Sequence, residues 1–210
     1  MDGDAPGADA LRIWQRNEDG QALVELSLAV IPIVMLLLFG VIEFGTVFHH
    51  GLTIAAATRE GARAGGAFAN GGGPLGCGSG QSPNAATVDP NVVAAVERVL
   101  TGNALVRLQD VSEIRIWKST VAGAETANEI NRWVHTPGAG PVVGGERLDF
   151  SPAGADDWRA CERSNATPAD SIGVTVRYTY RTVTPLGWLV PGLASISLED
   201  RTVMPLNASR

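Results

Sequence analysis

The chain has 210 residues, 45% of them hydrophobic, with 22 acidic and 16 basic residues and a net charge of -6. That size and composition exclude a disordered tail and a multi-domain enzyme, and leave room for one compact domain. Lys118 is the only lysine, so there is no lysine-rich patch for a polyanion, and nucleic acid is not an expected partner.

The first twenty residues, MDGDAPGADALRIWQRNEDG, set Asp2, Asp4, Asp9, Glu18 and Asp19 against Arg12 and Arg16. They read as a short polar cytoplasmic leader (1–20), unlike a secretory n-region. From Leu26 to Ile42 the sequence LSLAVIPIVMLLLFGVI carries no charge. As a helix, Ala22 to Phe48 extends about 40 Å, enough to cross a hydrocarbon layer of roughly 30 Å. Pro32 cannot donate to the carbonyl of Leu28, so a bend is expected there, tolerated in lipid where neighbouring helices relieve the loose carbonyl. Glu43 falls about 27 Å along the axis from Glu25. That places it near the opposite interface, within reach of headgroups or water. Small residues at Ala55, Ala56, Ala57, Ala62 and Ala64 continue the helix, with Arg59 and Arg63 on a wet face. His49 and His50 are adjacent, diverge in direction and have no further ligand at metal spacing, so they read as interfacial.

Orientation is not decided by Arg12 and Arg16 against Arg59 and Arg63. The only cysteines, Cys77 and Cys161, both follow the apolar segment. A disulfide between them, formed outside the cytoplasm, is the expectation, and two reduced buried thiols are the alternative.

Gly20 is followed by Gln21 and, at the edge of the apolar run, by Glu25. A carboxylate there is costly unless paired or neutralised. A cut after Gly20 would free the α-amino group of Gln21 about one helical turn from Glu25, giving the acid a partner in its own chain or in a staggered neighbour. The plainer reading is an acid in the first helical turn, favourable to the helix dipole.

The run GQALVELSLAVIPIVMLLLFGVIEFG, followed by LTIAAATREGARAGG, resembles the amino-terminal region of TadE-like and TadG-like proteins, pilin-like components of bacterial tight-adherence pilus systems. The resemblance spans Gly20 to about Gly66, with a fainter echo in VRYTYRTVTPL and VMPL, where Pro205 and Asn207 replace the family's basic and acidic residues. It implies cleavage by a prepilin peptidase between Gly20 and Gln21. It also implies an assembly role for the apolar helix, with Glu25 at the family's acidic position. The implied partners are other pilin-like subunits, the peptidase, an inner-membrane assembly platform and the lipid bilayer. The large head implies a minor subunit.

Beyond the helix (21–64), Gly65 and Gly66 are expected to break it and open a Gly-rich connection (65–89), leaving a head at 90–210. Pro90 opens a short helix whose apolar face is Val92, Val93, Val96 and Leu100, stopped at Gly102. Ile114 and Ile116 alternate with Arg115 and Trp117 as a strand with one apolar side. Val174, Val176, Tyr178 and Tyr180 alternate with Thr175, Arg177, Thr179 and Arg181 as a half-buried antiparallel strand. Ile196 and Leu198 begin a last strand expected to pair with it. Residues 121 to 169 show no period, and Trp133, Phe150 and Trp158 read as satellite core under loops, with a carbohydrate surface as the alternative. The fold expected is α+β: a long amino-terminal transmembrane, pilin-like helix and a small extracytoplasmic head with an antiparallel sheet.

Catalysis is not expected. His135 is the head's only histidine, no serine sits in a GxSxG context, and Asp156 and Asp157 are adjacent and so diverge. No cofactor or metal is called for. The reading is a pilin-like assembly subunit; the alternative is a permanently anchored extracytoplasmic adhesin or binding module.

Overall fold

The computed structural model describes residues 8–67, 85–165, 167–190 and 192–206, with side chains from Gly20 onward. Helix α1 (Ala8–Ala67) runs unbroken for 60 residues, about 90 Å. It begins well before Gln21 and passes through Gly65 and Gly66 instead of breaking there. The reason is packing. A Cβ on Gly61 would lie 2.5 Å from Val96 Cγ2, and one on Gly65 2.5 Å from Ile172 Cδ1. These glycines let α1 approach its neighbours closely, and their burial offsets their low helix propensity.

Helix α2 (Val88–Thr101) buries the expected face of Val92, Val93, Val96 and Leu100 and is capped by Gly102. Strands β1 (Val111–Ser119), β2 (Glu125–His135), β5 (Phe150–Pro152), β6 (Ser171–Arg181) and β7 (Ser195–Pro205) form an antiparallel sheet in the order β5-β2-β1-β6-β7. A separate hairpin joins β3 (Val142–Val143) to β4 (Glu146–Arg147) through Gly144 and Gly145, both at positive φ, as a two-residue turn of this hand requires. β6 and β7 pair without a slip from Ser171↔Pro205 to Arg181↔Ser195, as the alternation in both runs led one to expect.

One face of the sheet carries Ile114, Ile116, Val174, Val176, Tyr178 and Tyr180 and packs in a single core with Ile54, Ala57 and Ala62 of α1 and with α2. The carboxy-terminal half of α1 is therefore part of the head. Trp133, Phe150 and Trp158 belong to the same core, all but wholly buried. They are main core rather than satellite clusters under loops.

The opposite face is less open than the alternation implied. Arg115 and Trp117 are buried along with Ile114 and Ile116. The Trp117 indole occupies the space left by Gly173, where a Cβ would come within 2.3 Å of the ring, and its Nε1–H donates to Thr175 Oγ1 at 2.8 Å. Arg115 pairs with Glu125 at 2.7 Å and Glu113 at 3.2 Å, and Arg177 bridges Glu113 and Glu199, both at 2.6 Å.

Candidate assembly helix and its anchor in the head

α1 has two halves of opposite character. From Gly20 to Ile42 almost every side chain is exposed, large apolar residues included. From Glu43 onward a stripe at helical spacing is buried: Glu43, His50, Ile54, Ala57, Thr58, Gly61, Ala62 and Gly65. The exposed half spans about 35 Å, the thickness of a hydrocarbon layer with little to spare. Among the described residues α1 alone is long and apolar enough to cross a membrane. The architecture is that of a single membrane-spanning segment followed by an extracytoplasmic domain.

Gly20 and Gln21 lie within α1 and are exposed, and a Cβ on Gly20 would meet nothing within 4 Å. Gln21 Nε2 donates to Glu25 Oε1 at 3.3 Å, so the expected one-turn relation between residues 21 and 25 exists in space. Glu25 has no cation beside it among the described ion pairs. Pro32 lies inside the continuous helix on the exposed half.

Glu43 differs from expectation. It faces neither headgroups nor water but is 8% exposed. Its Oε2 accepts from the Tyr180 hydroxyl at 2.5 Å and its Oε1 from the backbone N–H of Thr184 at 2.6 Å. Thr46 Oγ1 lies 2.8 Å from the same Tyr180 oxygen. These bonds satisfy a carboxylate that would otherwise be costly where α1 leaves the head. Burial, followed by the Glu43 carboxylate beside it, pushes the Tyr180 phenol above its ordinary value. Glu25 and Glu43 thus differ: one is exposed and bonded one turn back to Gln21, while the other is buried and bonded across the fold.

Two turns beyond Glu43, His50 places Nδ1 2.7 Å from the Thr46 carbonyl oxygen and Nε2 3.1 Å from that of Leu105. Its ring lies edge-on to Tyr180, with centroids 5.1 Å apart. His49 Nε2 accepts from Asn103 Nδ2 at 2.7 Å. Further along, Thr58 donates to Asp200 and lies 3.1 Å from Thr202 Oγ1, tying α1 to β7. Both histidines thus also tie α1 to the head, and no described group of three or more His, Cys, Asp or Glu side chains could hold a metal ion. Thr184 and Leu105 were not singled out from the sequence, and Tyr180 was read only as a core residue of its strand. The available signal was the buried stripe itself, in which Glu43 and His50 continue the register of Ile54, Ala57 and Gly61.

The head holds one internal polar knot. Arg163 pairs with Asp89 of α2 at 2.6 Å and stacks 4.3 Å from the Trp158 ring centre. Asn131 Nδ2 donates to Asp89 and Asp156, both at 2.7 Å. Beside it a cavity of about 360 Å³ is lined in part by Asp89, Asn131, Trp133 and Asp156. Burial, and next the Asp89 charge, hold the Asp156 carboxyl above its ordinary value.

The expected Cys77–Cys161 disulfide has one of its two residues, Cys77, outside the described part of the chain, and no bridge joins two described residues. Cys161 is buried, at 6% exposure, and is not a free thiol.

Residues 20–63 match the model for the TadE-like protein family. The match lies wholly within α1, from the glycine ahead of the apolar run to the small-residue stripe, and bears out the resemblance over that stretch. No curated protein and no solved structure matches the chain.

Proposed function

We propose that this chain is a minor, pilin-like subunit of a tight-adherence type IV pilus system, cut by a prepilin peptidase between Gly20 and Gln21 and assembled through α1. The observation that carries this reading is the division of α1. Almost every side chain of its apolar half is exposed, while its other half is the head's central beam. Such a helix is stored in lipid and can move to a sheath of other helices without unfolding the head, since one apolar environment replaces another. The Gln21 α-amino group freed by the cut pairs with the Glu25 carboxylate of a neighbouring helix, or with its own while waiting, which lowers the cost of an acid at the edge of the span. Gly20 also suits cleavage. A protease must unwind the helix locally, and glycine is about 1 kcal/mol easier to unwind than alanine.

The test is the mass and amino-terminal sequence of the protein extracted from membranes of cells carrying the peptidase. A chain beginning at Gln21 supports the reading; a full-length chain refutes it in favour of a permanent anchor. Gly20→Leu should abolish the cut while leaving the protein in the membrane fraction. Glu25→Ala should leave insertion intact and reduce co-isolation of other pilin-like subunits about tenfold, the effect of losing on the order of 1.4 kcal/mol. Undiminished co-isolation would remove Glu25 from the assembly contact.

A further inference from the structure

The loop between β6 and β7, Thr182 to Ala194, contains no charged residue. Its short helix α3 (Leu186–Leu189) buries no side chain. Trp188 is 88% exposed, and Val183, Leu189, Val190 and Leu193 are exposed with it. Five large apolar residues facing outward from one loop are far from the scattered single exposures of an ordinary surface.

Their position explains them. The Thr184 N–H that closes on Glu43 belongs to this loop, and Glu43 is the residue next to Ile42, where the exposed apolar half of α1 ends. The hydrogen bonds between α1 and the head begin at that level among the described residues. With about 35 Å of α1 in a hydrocarbon layer of roughly 30 Å, the layer's edge falls close to Glu43. The uncharged loop therefore stands at that edge, beside the span and continuous with it. Arg181 directly precedes the loop, pairs with Asp110 at 3.2 Å and, with Asp110 and Arg107, lines a cavity of about 480 Å³ next to it. A tryptophan with an aliphatic surround below and guanidinium groups above is the arrangement found where proteins meet the bilayer interface.

The geometry points to a second membrane contact: the β6–β7 loop seats Trp188, Leu189 and their apolar neighbours in the outer-leaflet interface, holding the head down on the lipid beside its own span. This rests on the membrane-held reading of α1. The loop is the head's membrane foot, and Glu43 is the latch joining foot to helix. The contact breaks when the subunit leaves the bilayer, which exposes the foot to other occupants.

The full-length chain and its Trp188→Phe variant are reconstituted in phosphatidylcholine vesicles, floated on a density gradient, and compared with and without lipids brominated near the headgroup. The other four tryptophans are common to both proteins, so the difference spectrum isolates Trp188. Both proteins should float, and brominated lipid should dim the difference emission about twofold, as expected for an indole at the interface. Flotation with no dimming of that component overturns the foot while leaving the span intact. Shielding of Trp188 from aqueous acrylamide without dimming by brominated lipid overturns it too, in favour of a protein occupant such as a second copy of the chain. Failure of the full-length protein to float overturns the span, and the foot with it.

Discussion

Glu43 shows how much one side chain can owe to residues far away in sequence. Its two oxygens accept from Tyr180 and from Thr184 N–H, contacts that no local pattern announces. In the sequence it was an acid at the end of an apolar run, and water was the natural destination. Replacing it with alanine leaves the part-buried Thr184 N–H unpaired and the Tyr180 hydroxyl with Thr46 alone, at a cost of about 1–3 kcal/mol. We expect Glu43→Ala to lower the thermal unfolding midpoint of the detergent-solubilised protein markedly and Glu43→Gln, which keeps an acceptor, to lower it less. Equal midpoints for alanine variant and wild type would show that the carboxylate does not fasten the helix. Gly65 and Gly173 were illegible for the same reason. Their lack of a side chain is needed by Ile172 and Trp117, which the sequence keeps far off or places on another strand.

At the scale of elements, legibility followed periodicity. α2 and the β6–β7 pair were readable because apolar residues repeat at helical or alternate spacing along them. β2 was not, because its only buried positions are Asn131 and Trp133, and Asn131 is a hydrogen-bonding hub rather than an apolar marker. Its Asn128 also takes a positive φ of 62°, breaking the strand's regularity. α2 meets the loop before β5 through Glu97, whose carboxylate oxygens accept from Asp149 N–H at 3.2 Å. Burial raises the Glu97 carboxyl above its ordinary 4.5, and the Asp149 and Glu146 charges add to this, against the lowering effect of the Asp149 N–H. Below pH 4.5 the group is protonated folded and unfolded, and its contribution to stability is fully present. As pH rises from 4.5 through the raised value the unfolded chain ionises first, so that contribution is lost. Glu97→Gln keeps an acceptor for Asp149 without the charge. Melting curves from pH 4 to 7 should show the variant gaining on wild type as pH rises, and a constant difference would exclude this linkage.

For the whole molecule, the boundary between anchor and head does not fall where composition changes. The Gly-rich stretch begins at Gly65, yet the physical division within α1 is at Glu43, where exposed apolar surface gives way to the buried stripe. Composition marks where glycines gather, whereas burial marks where the helix acquires neighbours. The candidate site was half legible on these terms. Gly20, Gln21 and Glu25 stand together because their relation is local to one helix, whereas the loop carrying Trp188 takes its meaning from residue 43, its neighbour in space and not in sequence.

One helix passing without interruption from lipid into the core leaves no swivel between them. Each residue added or removed between Gly40 and Glu43 would turn the head by about 100° and shift it by about 1.5 Å relative to the apolar rod. The azimuth of the head around any fibre built from these rods is therefore written into the residue count between Glu25 and Glu43. Two added turns, seven residues, nearly restore it, whereas a single added residue points the same face at a different neighbour.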